Sequence, residues 1–276
     1  MITLDQIQEG LVIPVDKPRQ WTSFQAVNKV KSYVRNTLDL KKFKIGHAGT
    51  LDPLATGLLL ICVGKANKSI DQLQQGEKVY TGTMVLGATT PCYDLERAVD
   101  QYYPYEHITR LLIEQTLPQF MGTIEQVPPM FSAVKIDGQR AYQYARLNPN
   151  ENSEKQEEQP QPTAKQVNVY EFEITDFRPG KPMPAAAEVQ QPEAVGPTGH
   201  HLYDHPLGTV PDHLPQLDFR IRCGKGTYIR SIARDLGLAL GSGAFLSALR
   251  RERVGEYSID QAVSLESFDF RRERGE

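Results

Sequence analysis

The stretch Gly46-His47-Ala48-Gly49-Thr50-Leu51-Asp52-Pro53-Leu54-Ala55-Thr56-Gly57 sets one carboxylate, one imidazole and two hydroxyls among three glycines. A carboxylate held in a rigid loop can act as a nucleophile, or as a general acid or base. Alone, an Asp-Pro pair reads as a turn, the aspartate accepting backbone N–H groups and the proline fixing the next φ. A turn needs one or two special residues, and this block holds several more, which favours a site built around Asp52. A second block, Cys223-Gly224-Lys225-Gly226-Thr227-Tyr228-Ile229-Arg230, runs from a strand through a glycine-rich turn into a helix. N–H groups at the mouth of such a helix can meet phosphate, although a plain tight turn explains the glycines equally well. A nucleotide-binding loop is excluded: Gly57 and Gly64-Lys65 are too far apart, and Ala66 stands where a magnesium-binding hydroxyl is needed.

These blocks need a scaffold. Leu58 to Val63 is an unbroken apolar run, the pattern of a central strand covered on both faces. Leu11 to Val15 reads as a short strand. Thr22 and Gln25 form a capping box that starts a helix, on which Phe24, Val27, Val30 and Val34 make the apolar stripe. Lys29, Lys31 and Arg35 lie elsewhere on that helix, and Lys41, Lys42 and Lys44 continue the basic character toward Asp52. Val79, Thr81, Thr83 and Val85 alternate with Tyr80, Gly82, Met84 and Leu86, a strand pattern that turns Tyr80 away from the β-branched set. A strand tyrosine of this kind packs as an amphipathic side chain or does chemistry. His107 to Phe120 reads as an amphipathic helix, and Gln126 to Ala133 as an extended, proline-bearing segment leading to Tyr142 and Arg146. Val167 to Phe177 and Leu217 to Cys223 read as strands able to pair. Ile229, Ile232, Ala233, Leu236 and Leu240 define a buried helix face, with Arg230 and Arg234 on another.

With 276 residues, 39% hydrophobic and 24% charged, the chain is of globular composition and has enough length for a sizeable core. Met1 to Gly10 is polar and acidic, unlike a secretory leader, and no apolar run reaches the length of a membrane span. Cys62, Cys92 and Cys223 are odd in number and lack metal-type spacing, which points to reduced thiols and a cytoplasmic location. Residues from Asn148 to about Thr163, and from Pro179 to Gln216, are too poor in apolar side chains to offset the entropy of ordering, so both read as surface-loop insertions (148–163 and 179–216). His200, His201, His205 and His213 in the second insertion lack cysteine or carboxylate partners in ordered spacing, which argues against a metal. The net charge is −3, but residues 151–162 hold four acidic groups and one basic, and residues 182–218 hold five acidic groups and none basic, which leaves the remaining body net basic.

In order and spacing the blocks resemble the TruB-type tRNA pseudouridine-55 synthases. The resemblance runs through Asp16-Lys17-Pro18, Trp21-Thr22-Ser23, Gly46 to Lys68, Lys78-Val79-Tyr80, Pro128-Pro129 with Ser132-Ala133, Gly226 to Arg230 and Leu249-Arg250-Arg251. The chain departs from the family pattern at Arg19-Gln20, where a glycine is usual, and at Asn67, where threonine is common. The resemblance implies an α+β fold, a mixed and largely antiparallel sheet flanked by helices with an RNA-binding cleft. It implies one catalytic domain over residues 1–276, with the C-terminal RNA-binding PUA domain of many relatives absent.

It also implies the chemistry. Uridine is isomerised to pseudouridine by breaking a C–N glycosidic bond and forming a C–C bond to the same sugar, without net redox change and without metal or other cofactor. Asp52 becomes the nucleophile, at C6 of the base or C1′ of the sugar. Arg230 becomes the cation that keeps Asp52 ionised, or alternatively a phosphate ligand. Tyr80 stacks on the everted base and assists proton transfer at C5, with Leu249 packed nearby. His47 wedges into the loop that the base leaves, Lys17, Lys68 and the basic helix after Thr22 contact phosphate, and Tyr228 contacts substrate. The implied partner is the T-arm stem-loop of tRNA, with no membrane and no obligatory protein partner, and the protein is read as a monomer. Two other readings stay open: a catalytically silent RNA-folding chaperone, and a pseudouridine synthase for another RNA.

Overall fold

The computed structural model describes residues 2–132, 134–136, 139–140, 162–182 and 207–268. Most of both expected insertions, and with them His200, His201 and His205, lie outside the described residues, as do Tyr142 and Arg146. The fold is α+β, built on a mixed and mostly antiparallel sheet. The chain forms two compact units, Met1–Thr81 with Leu249–Glu276, and Gly82–Ala248.

In chain order the elements are α1 (Leu4–Glu9), β1 (Leu11–Lys17), α2 (Ser23–Leu38), β2 (Ile45–His47), β3 (Thr56–Val63), α3 (Ile70–Gln75) and β4 (Lys78–Leu86). Next come β5 (Ala88–Thr89), β6 (Gln101–Tyr102), α4 (Arg110–Thr116), β7 (Gly122–Gln126), β8 (Lys135–Ile136) and β9 (Gln139–Arg140). The last are β10 (Lys165–Arg178), β11 (Gln216–Cys223), α5 (Ile229–Ala239), β12 (Ala244–Val254), β13 (Tyr257–Ser258) and β14 (Val263–Ser264). The divide between the units falls within β4 and β12.

In the first unit β3 is the central strand. β1 pairs antiparallel along one of its edges, with Lys17 opposite Gly57. The other edge takes β12 in parallel at Thr56 and Gly57, then β2 antiparallel at Ile61 to Val63. Leu58 through Val63 are all fully buried, as expected for a run with no polar alternation. The Thr22 and Gln25 capping box is present and starts α2, which buries Ala26, Val27, Val30 and Val34. Phe24 departs from the expected stripe and is 68% exposed. At about 100° per residue it lies roughly 100° from the centre of the buried face, whereas Ser23 and Ala26 fall within it.

In the second unit β11, β10 and β7 lie side by side, β11 antiparallel to β10 and β10 antiparallel to β7. The expected pairing of the strands on either side of the second insertion is therefore present. The face of α5 made by Ile229, Ile232, Ala233, Leu236 and Leu240 is buried as read from its spacing. The expected helix over 107–120 is shorter: Thr109 caps α4, and the chain tightens into a 3₁₀ turn at Leu117–Phe120. Pro118 has no N–H to continue the α-helical ladder. Helix α1 was not foreseen, although Thr3 and Gln6 form its capping box.

Candidate active site

The Asp52 loop is held by side-chain and backbone hydrogen bonds within the first unit. Ser23 Oγ accepts the Leu51 N–H at 2.9 Å and donates to the Leu51 carbonyl at 3.2 Å. The Gln20 N–H donates to the Pro53 carbonyl at 2.8 Å, and the Ala55 N–H donates to the Asp52 carbonyl at 3.1 Å. Arg251, 2% exposed, reaches both ends of the loop. Its Nε donates to Leu58 O at 2.8 Å and its Nη2 to Gly49 O at 3.1 Å, with Nη1 3.5 Å from Thr50 O. Gly57 makes this approach feasible: its φ is +100°, and a Cβ there would sit 2.3 Å from the Arg251 carbonyl oxygen. Asp52 itself is half-buried, neither sealed in the core nor fully turned to solvent. A carboxylate in that position can be desolvated by a substrate while its backbone stays fixed.

Lys17 differs from the expected phosphate contact. It is fully buried, and its ammonium donates to the carbonyls of Trp21 at 2.7 Å, Pro18 at 3.0 Å and Pro53 at 3.2 Å. Its three N–H groups are spent on backbone, so it fixes the loop rather than meeting RNA. Burial lowers its pKa to about 7; the Asp52 carboxylate opposes that shift, Arg251 adds to it and Asp16 opposes it. Lys17 sits at the end of β1 opposite Gly57, and sheet register alone carries it inward.

The other expected site residues of this unit are placed as follows. His47 ends β2, half-buried, and its Nδ1 is buried with no hydrogen-bond partner. Burial first, and then Arg251, hold its imidazole below the ordinary value, so the ring is neutral at neutral pH. Tyr80 is buried on β4. Leu249 is half-buried on β12, and its carbonyl lies 3.5 Å from Thr56 Oγ1. Lys68 is exposed at the end of the 3₁₀ turn Gly64–Ser69.

Arg230 and Tyr228 belong to the second unit. Arg230 is 4% exposed. Its Nη1 donates to Cys92 O at 3.0 Å, its Nη2 to Phe131 O at 2.8 Å, and its Nε faces Asp94 Oδ2 at 3.7 Å. Asp94 is also buried, and its Oδ1 accepts the Glu96 N–H at 2.9 Å. Tyr228 is the N-cap of α5 and offers no side-chain cap. Gln126 replaces one: its Oε1 accepts the Tyr228 N–H at 2.7 Å and its Nε2 donates to the Tyr228 carbonyl at 3.1 Å. The Val127 carbonyl then accepts Ser231 Oγ at 2.8 Å and Arg234 Nη2 at 3.1 Å. The proline-bearing segment thus anchors the helix turn that presents Arg230.

Sequence reasoning missed Ser23, Arg251, Asp94 and Gln126 as parts of this machinery. Ser23 in Trp-Thr-Ser, Gln126 at the start of the proline-bearing segment and Arg251 within Leu-Arg-Arg are visible as motif members without a role; Asp94 carries no signal. Among the described residues there is no group of three or more histidine, cysteine, aspartate or glutamate side chains able to hold a metal.

Comparison with known proteins agrees with this architecture. A chain in the crystal structure of a Cbf5–Nop10–Gar1 complex aligns over 95% of this chain with a TM-score of 0.58 and 26% identity. The present chain spans about half, 54%, of that chain. The profile described as TruB family pseudouridylate synthase (N-terminal domain) matches residues 35–195. That of the tRNA pseudouridylate synthase B C-terminal domain matches residues 230–271. Fold and profiles together define a pseudouridine synthase. A tRNA pseudouridine synthase B of Flavobacterium johnsoniae is 44% identical over 269 residues, covering 97% of this chain and 98% of its own. One of Phocaeicola vulgatus is 43% identical over 95% of this chain and 92% of its own. The chain belongs to the TruB family of pseudouridine synthases.

Proposed function

We propose that this chain isomerises uridine 55 in the T-arm loop of tRNA to pseudouridine, with Asp52 as nucleophile. The end-to-end match to relatives named tRNA pseudouridine synthase B carries the reading. The immobilised, half-buried Asp52 loop supports it. The reaction breaks the N1–C1′ bond, forms a C5–C1′ bond, releases the proton from C5 and returns one to N1. A carboxylate nucleophile divides this into two easier steps through a covalent intermediate, by attack at C6 or at C1′.

In this reading the uridine leaves its stack and Tyr80 provides the new face, while Leu249 packs beside it. Arg230, oriented by Asp94 and by the Cys92 and Phe131 carbonyls, is the catalytic cation of this reading. His47 enters the loop vacated by the base, Tyr228 contacts substrate, and Lys68 with the cations of α2 binds phosphate. Both compact units form one catalytic domain, which works as a cytoplasmic monomer without an obligatory protein partner. No helix among the described residues is long and apolar enough to cross a membrane.

The test is incubation with unmodified tRNA transcript followed by mapping of pseudouridine, with Asp52→Ala as control. Product at position 55 from the wild type, and none from Asp52→Ala, is the expected result. Tight binding without product would make the protein an RNA chaperone, and product only in another RNA would reassign the substrate.

A further inference from the structure

Helix α2 carries a surface stripe that the chemistry at Asp52 does not use. Phe24, on its first turn, leaves 68% of its surface exposed. At about 100° per residue, Phe24, Asn28, Lys31 and Arg35 fall within roughly 60° of one another around the axis, forming a line about 16 Å long. Lys31 and Arg35 are exposed, and the whole of α2 (Ser23–Leu38) contains no Asp or Glu. The exposed Lys41, Lys42 and Lys44 follow it in the chain. One exposed aromatic is unremarkable by itself. Here it ends a cationic line and stands next to Ser23, whose hydroxyl binds both backbone groups of Leu51, the neighbour of Asp52.

We propose that this stripe is an RNA contact separate from the pocket for the target uridine: an unpaired base stacks on Phe24, and flanking phosphates lie along Lys31 and Arg35. The proposal rests on the RNA substrate proposed above and adds where the neighbouring nucleotides go. An aromatic face combined with a cationic track is the arrangement that holds single-stranded nucleic acid without reading its sequence. A protein partner docking on Phe24 would require further apolar contact, and its stripe neighbours are an amide and two cations. The polyanion matches both features, and the seat beside the Asp52 loop puts the stripe within reach of nucleotides adjoining an everted base.

The experiment measures binding of unmodified tRNA transcript across a salt series for Phe24→Ala, Phe24→Trp, the double variant Lys31→Gln/Arg35→Gln, and Leu238→Ala. Leu238 is 65% exposed on α5 and serves as an apolar surface control. Phe24→Ala is expected to weaken binding about 5-fold or more, the loss of one base-stacking contact, with Phe24→Trp retaining affinity. The double variant is expected to flatten the slope of log affinity against log salt by about 1.4 to 1.8, two phosphate contacts. Phe24→Ala within twofold of wild type, or an equal loss in Leu238→Ala, overturns the stacking contact; an unchanged salt slope overturns the phosphate track. Pseudouridine formation by the wild type is scored on the same transcript, so failure of the activity and failure of this surface are read separately.

Discussion

Replacing Arg251 by methionine tests whether one buried guanidinium holds the Asp52 loop. Methionine keeps an unbranched stem of similar bulk and removes every donor. Two carbonyls at good distance, Leu58 O at 2.8 Å and Gly49 O at 3.1 Å, lose their partner; Thr50 O at 3.5 Å is at the limit of a hydrogen bond and adds little. A hydrogen bond from a charged donor contributes about 1.5–3 kcal/mol, so the gross loss is about 3–6 kcal/mol. Removing a desolvated charge returns part of this. A net destabilisation of about 2–4 kcal/mol follows, a 30- to 1000-fold change in the folding equilibrium at roughly 1.4 kcal/mol per decade.

Urea unfolding followed by fluorescence of Trp21, the chain's one tryptophan and itself a partner of Lys17, measures the effect close to the loop. Arg251→Lys, with one compact donor group instead of a fork, is expected to recover about half. In conditions where Arg251→Met is fully folded, turnover at saturating tRNA should still fall at least about tenfold, because the carboxylate loses its fixed position. A methionine variant with wild-type urea midpoint and wild-type turnover would refute the argument that this side chain fastens the loop.

Two further outcomes concern buried charge. Asp94→Asn keeps the shape but places a neutral amide against the buried Arg230; because Nε and Oδ2 are already 3.7 Å apart, a loss of about 1–3 kcal/mol is expected, less than the roughly 3–5 kcal/mol of a tightly paired buried ion pair, seen as a lower melting temperature together with reduced turnover. Lys17 has a folded pKa of about 7 against 10.5 for an unburied lysine. Between those values the unfolded chain binds more protons, so its contribution makes stability rise with pH from about 7 to 10.5 and stay flat below. Subtracting the pH profile of Lys17→Met from that of the wild type, by urea midpoints, should isolate this rise; parallel profiles would mean that Lys17 keeps its proton throughout.

Much of the scaffold could be read locally. Six consecutive apolar residues from Leu58 to Val63 can only be accommodated between two covered faces, and that is where β3 lies. Thr22 with Gln25 announced the start of α2, and the spacing of Ile229, Ile232, Ala233 and Leu236 announced the buried side of α5. These are properties of a segment and its period, independent of what packs against it. Phe24 escapes the stripe because a pattern spaced at i, i+3 and i+6 drifts around the helix, and only the position of the sheet decides which edge of the stripe is covered. The break after Thr116 has its local cause in Pro118.

Residue types and their order along the chain determined the family, the loop that carries Asp52 and the strand behind it, because glycines, a proline and an apolar run restrict backbone and burial within a dozen residues. The tertiary structure alone decided that Lys17 is a buried fastener rather than a phosphate ligand, that Arg251 closes a loop 193 residues away from it at Leu58, and that Asp94 faces Arg230. A lysine or an arginine has the same covalent structure on a surface as in a core. Whether it meets water, a carbonyl or a carboxylate depends on strand register and on partners distant in sequence, which no local pattern encodes.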